Sequence, residues 1–326
     1  TSILVEDCEE LYLNSFCKGF RTTKENINPM FINYQLLGHL HRVLLSVEGS
    51  GFTRINLQQN RLLNTPILTT SLTEQNQIVS YLDTKTLLID SLIQRTQLKI
   101  ELLKKKRNST INEVVTNGLN PNIEMKESGV DWIGEVPRHW EIKKLKYLLK
   151  HIKEKLTPNE NDKKISPEYV ESDTGICTNF YSEYSGDGYK FIPGDILLNK
   201  LRIYLKKVLR VDFDGYSLGE MIVLRTEQKN LSEFIFNSFF SDVLIGYLNS
   251  LSTGVKVPRV SPDEILSTKF PLPPINEIIK INEFIKHSNS KIDKKVFLEE
   301  KKIDLLKEYK QSLISEVVSG KKKVVS

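Results

Sequence analysis

Apolar residues recur at helical spacing over residues 72–117 of the chain. The repeating positions are Ile78, Leu82, Ile89, Ile93, Ile100, Leu103, Ile111 and Val114. Steps of three, four and seven residues place side chains on one helix face, and such a stripe packs against another helix. Ser71 followed by Glu74 predicts a capping box, with Ser71 at the N-cap and the Glu74 side chain reaching back to its backbone N–H, and Gly118 is a suitable terminator. The pattern therefore predicts one long helix beginning near residue 72.

A second stretch repeats this pattern at a constant offset of 203, because residues 65–117 align with 268–320 without a gap. Its apolar positions are Ile278, Ile281, Ile285, Ile292, Val296, Ile303, Leu306, Leu313 and Val317. Pro271, Pro273 and Pro274 precede it, and Gly320 ends it. The polar segment His287–Ser290 predicts a break into a short and a long helix. Neither stretch adjoins enough sequence to bury its own stripe, so we predict that the two helices pack together, antiparallel.

The repeat predicts an α+β protein made of two copies of one module, each a globular α/β part followed by a long helix. The predicted divisions are the end of a first globular domain (1–71), a first long helix (72–120), a second globular domain (121–272), a second long helix (273–320) and a basic tail (321–326). Strands are expected at 195–198 and 221–224. The second module begins near Met125, which places the start of the first about eighty residues before Thr1. We interpret the chain as beginning partway through that domain; a smaller first unit is the alternative.

Composition is that of an ordinary globular protein, with 39% apolar and 27% charged residues among 326. No apolar run approaches the ~20 residues of a membrane-spanning helix. Three scattered cysteines predict neither a disulfide framework nor a zinc site, and they favour a reducing cytoplasm. Signatures of phosphate loops, dinucleotide-binding loops and nucleophile elbows are missing from the sequence. His39 and His41 have no further ligand at metal-binding spacing, so catalysis and metal binding are not indicated.

Basic residues cluster after the strand expected at 195–198. Lys200, Arg202, Lys206, Lys207 and Arg210 fall within eleven residues that contain no Asp or Glu, and Tyr204 lies among them. Such a cluster can neutralise several phosphates, and Arg also reads guanine edges in the major groove. The alternative is a solvated strand and loop, which is common in lysine-rich proteins.

A second cluster contains Lys256 and Arg259 in a glycine-hinged loop, 253–259. The corresponding loop of the first module, 50–54, contains Thr53 and Arg54. Equivalent cationic loops favour a shared role. We predict DNA contacts by Lys200, Arg202, Tyr204, Lys206, Lys207, Lys256 and Arg259 in the second module, and by Lys18, Arg21, Thr53 and Arg54 in the first.

These segments resemble the specificity subunits of type I restriction-modification systems. The segment from Met125 to Trp140, containing Asp-Trp-Ile-Gly-Glu-Val-Pro, is similar to the start of their target recognition domains. The segment from Gly194 to Leu205 resembles a motif frequent in those domains. Residues 271–277, and more weakly 67–75, look like the starts of the family's spacer helices.

The resemblance implies a non-catalytic protein whose two target recognition domains each read half of a split site on double-stranded DNA. Two long antiparallel helices hold those domains apart. The expected partners are two methyltransferase subunits and the restriction subunits. No cofactor is expected on this chain; S-adenosylmethionine, ATP and Mg²⁺ are expected on the partners. A first domain that begins partway, as interpreted above, would depart from the family, and recognition of the second half-site is the one expected to be retained.

Two other interpretations remain open from the sequence. One is a coiled-coil interaction scaffold with no role in DNA binding, which would have no salt-dependent affinity for DNA. The other is a nuclease or DNA-modifying enzyme with an unrecognised site, which would act on plasmid without partner subunits.

Overall fold

The computed structural model describes residues 19–39, 41, 43, 59–183 and 186–324. The chain forms two compact units, the first built from residues up to 101 together with 295 onward, and the second from residues 102–294. Within the described ranges, no helix is both long and apolar enough to cross a membrane.

The described part of the first unit is helical. It contains α1 (Pro29–Leu37), α2 (Gln59–Leu63), the first part of α3 (Leu72–Asn117) and the last part of α7 (Ile275–Val318). Asn28 caps α1 by accepting hydrogen bonds from the Met30 and Phe31 backbone N–H groups. The core residues of this unit come from α1, α3 and α7: Phe31, Tyr34, Ile78, Val79, Leu82, Ile89, Leu313, Ile314, Val317 and Val318.

The second unit is mixed. Its strands are β1 (Met125–Glu127), β2 (Glu135–Pro137), β3 (Glu141–Lys144), β4 (Lys150–Ile152), β5 (Lys155–Leu156), β6 (Lys164–Ile165), β7 (Gly188–Phe191), β8 (Ile196–Asn199), β9 (Val208–Arg210), β10 (Gly215–Ser217), β11 (Met221–Arg225) and β12 (Lys269–Leu272). Three helices follow β11: α4 (Lys229–Ser238), α5 (Asp242–Ser250) and α6 (Pro262–Ser267).

Two four-stranded sheets form the body of this unit, in the orders β5-β7-β10-β6 and β4-β11-β8-β9. In β8, Leu197 packs with Phe191 of the other sheet, whereas Ile196 and Leu198 pack on the opposite face with helix residues such as Phe234. Because alternate side chains of a strand point to opposite faces, the β4-β11-β8-β9 sheet is the middle of three layers. Burial on both faces explains why all four residues of β8 are buried.

The sequence repeat is a structural repeat. Helix α3 begins at Leu72 and α7 at Ile275, 203 residues later. The same offset relates Phe31 of α1 to Phe234 of α4, and each packs on the first turns of its own long helix. Gly118 and Gly320 both follow a long helix with positive φ, +77° and +73°, as helix terminators do.

Two ion pairs show that the long helices run antiparallel in the first unit. In the first unit, Asp90 and Lys99 of α3 pair with Lys310 and Glu299 of α7, respectively. In the second unit, Arg107 pairs with Asp293. As residue numbers increase along α3, the numbers of their partners on α7 decrease, so the two helices are antiparallel. The predicted α+β fold with antiparallel coiled-coil helices is confirmed.

Two local predictions were inaccurate. Helix α7 is continuous through His287–Ser290, because packing of the apolar stripe on both sides of this segment outweighs its weak helix propensity. The N-terminus of α3 forms only half of a capping box. Ser71 Oγ accepts from the Glu74 N–H at 3.3 Å, but the Glu74 carboxylate accepts from the Thr70 hydroxyl.

Candidate nucleic-acid interface

The segment after β8 is held in an unusual backbone conformation. A 3₁₀ turn, Ile203–Leu205, is bracketed by Arg202 and Lys206, which both have φ of +48°. Left-handed φ is uncommon for residues other than glycine and needs support from the surrounding structure. The turn buries Ile203 and leaves Tyr204 half-exposed.

The glycine-hinged loop supplies that support by pairing with the same segment. The Arg202 N–H donates to the Pro258 carbonyl at 2.8 Å, and the Val260 N–H donates to the Lys200 carbonyl at 3.1 Å. Gly254, with φ of +93°, allows the loop to turn back so that Arg259 bridges Thr253. Lys200 and Arg202 of the first predicted cluster are therefore brought together with the loop that contains Lys256 and Arg259. We call this the cationic surface, defined by Lys200, Arg202, Tyr204, Lys256 and Arg259.

A carboxylate lies in the middle of the cationic surface. Glu220, just before β11, is 2.9 Å from the Lys200 ammonium and 2.9 Å from the Arg259 guanidinium. Its backbone carbonyl accepts from the Lys200 N–H at 3.1 Å. Sequence reasoning missed Glu220 because it lies outside both clusters, and only the pairing of β8 with β11 brings it there.

Arg202, Tyr204 and Lys256 are the exposed members of the surface without a side-chain hydrogen bond or ion pair to the described part of the chain. Arg259 is 53% exposed despite its contact with Glu220. Lys200 is less exposed, at 22%. The surface thus combines cations that are free to contact a polyanion with two that are positioned by one carboxylate.

Two predicted contacts fall elsewhere. Lys206 is buried, and its ammonium donates to the Phe240 carbonyl and pairs with Asp242 and Asp173. A buried charge that is already neutralised by carboxylates supports the fold. A DNA contact by Lys206 stays a prediction. Lys207 donates to the Pro167 carbonyl at 2.7 Å and is only partly exposed.

The predicted residues of the first module are largely outside the described residues. This applies to Lys18, Thr53 and Arg54, whereas Arg21 is described and exposed. His41 is buried with its Nε2 atom 2.8 Å from the Pro66 carbonyl oxygen. Over the described ranges, no group of three His, Cys, Asp or Glu residues is arranged to hold a metal ion.

His151 on β4 is a further group near this surface that the sequence did not indicate. Burial is the main cause that lowers its pKa, followed by the charges of Lys153 and Lys200, while Asp263 opposes the shift. Neither ring nitrogen has a hydrogen-bond partner among the described residues. The imidazole therefore lies neutral beside cations, where a bound polyanion would favour its protonation.

Asp195 and Trp140, which belong to the two segments that resemble the family, have structural roles. Asp195 follows the Gly194 turn, accepts from the Ile192 N–H, and forms a two-pronged ion pair with Arg225 at 2.7 and 2.8 Å. Trp140 is buried, and its indole N–H donates to Glu277 in the first turn of α7 at 3.1 Å. These contacts fix β8 and the start of α7, and so position the surface rather than form it.

Comparison with known proteins identifies the family. The family described as "Type I restriction modification DNA specificity domain" matches residues 137–308. The chain is 20% identical over 273 residues to the type I restriction enzyme EcoDI specificity subunit of Escherichia coli, covering 77% of this chain and 60% of that protein. It is 22% identical over 295 residues to the MjaVIII specificity subunit of Methanocaldococcus jannaschii, covering 85% and 66%. The chain thus spans less than two thirds of the length of these two relatives.

Solved structures agree on the fold. One, from work on complex assembly and conformational transition of the type I R-M system, has a TM-score of 0.70 at 13% identity and covers 91% of this chain and 73% of its own. The crystal structure of the HsdS subunit from Thermoanaerobacter tengcongensis has a TM-score of 0.50 at 15% identity, covering 92% and 72%. Since the family match extends over more than half of the chain, the protein belongs to the type I restriction-modification DNA specificity family.

Proposed function

We propose that this chain is the DNA-recognition subunit of a type I restriction-modification complex and has no catalytic activity of its own. The observation that carries the proposal is the cationic surface on a domain of this family. Lys and Arg neutralise phosphates, and an Arg such as Arg202 can also read a guanine edge. The exposed ring of Tyr204 adds a flat apolar face between the cations.

The target is a split site on double-stranded DNA, with one half read by the cationic surface. The internal repeat supports this proposal, because two copies of one module suit the reading of two half-sites. Lys18, Arg21, Thr53 and Arg54 are the proposed contacts with the other half. Helix α3 has 46 residues, and a helix of that length extends about 69 Å, or roughly two turns of duplex DNA.

The partners are two methyltransferase subunits and the restriction subunits of a cytoplasmic complex, and these carry S-adenosylmethionine, ATP and Mg²⁺. Exposed leucines at equivalent positions of the long helices support two-fold docking. Leu102 on α3 is 55% exposed and Leu305 on α7 is 57% exposed, and the offset of 203 relates them. Leu102 and Leu305 thus offer an equivalent apolar contact to each of the two methyltransferase subunits.

DNA-binding measurements test the proposal. Fluorescence anisotropy with labelled duplex should show affinity that falls steeply as salt rises, because phosphate contacts release counterions. The chain alone, with plasmid, Mg²⁺ and S-adenosylmethionine, should neither cleave nor methylate. Salt-independent or undetectable binding would support a scaffold without DNA binding, and turnover by the chain alone would establish an enzyme.

A further inference from the structure

A groove on the second unit lies among β3, β12, α4 and the start of α7. It has a volume of about 760 Å³, which is within the range of pockets that bind small ligands. Three lysines line it, Lys143, Lys144 and Lys269, over apolar side chains that include Leu231, Leu272 and Ile278. We call this the lysine groove.

Two of these lysines face each other without a counter-charge. Lys144 of β3 and Lys269 of β12 are directly opposite in the antiparallel pair. Like charges at directly opposed positions destabilise a sheet. Lys143 pairs with Glu141 at 2.6 Å, but no described carboxylate lies within ion-pairing distance of Lys144 or Lys269. The repulsion between Lys144 and Lys269 destabilises the free chain, and a negatively charged occupant of the groove would relieve it.

The groove also exposes apolar surface. Tyr147 is 71% exposed and Ile275 is 47% exposed, and both line it. Duplex DNA presents phosphates on a convex surface and has no apolar side chains to fill such a concavity. A peptide segment that alternates acidic and apolar residues matches both the lysines and the apolar floor.

We propose that the lysine groove binds an acidic, amphipathic segment of the methyltransferase subunit. This inference rests on the proposed function and names a contact for it. The offset of 203 places Pro66, Thr69 and Leu72 at the positions of Lys269, Leu272 and Ile275. The described part of the first module therefore offers no lysine equivalent to Lys269.

The test uses the full chain and the methyltransferase subunit encoded with it. Isothermal titration calorimetry should give a Kd that rises by about tenfold or more in K144E/K269E, because two attractive charges become repulsive. The Kd for duplex DNA should change by less than about twofold. K321E/K323E makes the same charge change in the basic tail and serves as the matched control. Tyr147→Ala, which removes an exposed ring without changing charge, should also weaken subunit binding and leave DNA binding intact.

The outcomes distinguish failure of the lysine-groove proposal from failure of the proposed function. If K144E/K269E binds the methyltransferase subunit as tightly as the wild-type chain does, the proposed occupant of the lysine groove is wrong. The proposed function is then not contradicted. Weakened DNA binding with normal subunit binding would also overturn the proposed occupant and would make the groove a phosphate contact. If the wild-type chain does not bind the methyltransferase subunit, the proposed function is contradicted. The proposal that this subunit occupies the lysine groove is then contradicted as well.

Discussion

Lys310 on α7 lies 2.7 Å from both carboxylate oxygens of Asp90 on α3. The internal repeat generates a second pair from the same positions, since Asp90 corresponds to Asp293 and Lys310 corresponds to Arg107. Arg107 and Asp293 do form an ion pair. Each long helix thus contributes the acid to one pair and the cation to the other.

Removing the Asp90–Lys310 pair should have a small effect on folding. The side chains are 47% and 30% exposed, and exposed ion pairs contribute about 0.2–1 kcal/mol. A double-mutant cycle with Asp90→Ala and Lys310→Ala, followed by urea denaturation, should give a coupling energy in that range that shrinks at high salt. A coupling above about 2 kcal/mol would show that the pair does more than the observed exposure allows.

Lys206→Met should destabilise the fold. The substitution keeps most of the buried stem but removes the ammonium from the Phe240 carbonyl, Asp242 and Asp173. We expect a loss of about 1–3 kcal/mol in the free energy of unfolding, measured by urea denaturation. Lys190→Met, at an exposed position on β7, should change it by less than about 0.5 kcal/mol. Unchanged stability of Lys206→Met, together with weaker DNA binding, would contradict this structural role and support a DNA contact by Lys206.

Glu220→Gln should strengthen binding to duplex DNA of any sequence. The change removes the carboxylate that pairs with Lys200 and Arg259 and leaves both cations available to phosphates. The plot of log affinity against log salt should become steeper by about one charge. Glu227→Gln, on the opposite end of β11, should leave the slope unchanged. Weaker binding by Glu220→Gln would instead indicate that Glu220 itself accepts from a cytosine amino group.

The His151 imidazole should make stability depend on pH below neutrality. Its pKa is lowered in the folded state, so the unfolded chain binds the proton more tightly. The contribution is fully present above the ordinary pKa of 6.5 and is lost as pH falls below 6.5 toward the folded-state value. His151→Phe loses no hydrogen bond at the ring and should reduce this loss between pH 7 and 5 in thermal denaturation. An identical pH profile for both proteins would contradict the shift.

The long helices could be predicted from sequence because their signal is periodic and local. Ile78, Leu82 and Ile111 lie on the predicted stripe and are buried. Which side chains of the basic cluster are exposed and which are buried could not be predicted in the same way. Whether Lys206 points to solvent or into the core depends on Asp173 and Asp242, which are distant in sequence.

The cationic surface illustrates the same limit. The spacing of Lys200 and Arg202 indicated a polyanion site, but their proximity to Arg259 arises from backbone pairing between two distant segments. Glu220 carries no sequence signal for its role, because its position depends on the register of β11 against β8.

Mapping of methylated DNA in the host tests the central claim most directly. Long-read sequencing of the genome with the gene intact should detect a split, two-part methylated site, and deletion of the gene should abolish it. Restoring the gene as Arg202→Ala should relax one base position of one half-site, since a lost guanine contact costs about 1–3 kcal/mol. Methylation that is unchanged by the deletion would contradict the proposal that this chain directs a methyltransferase to its target.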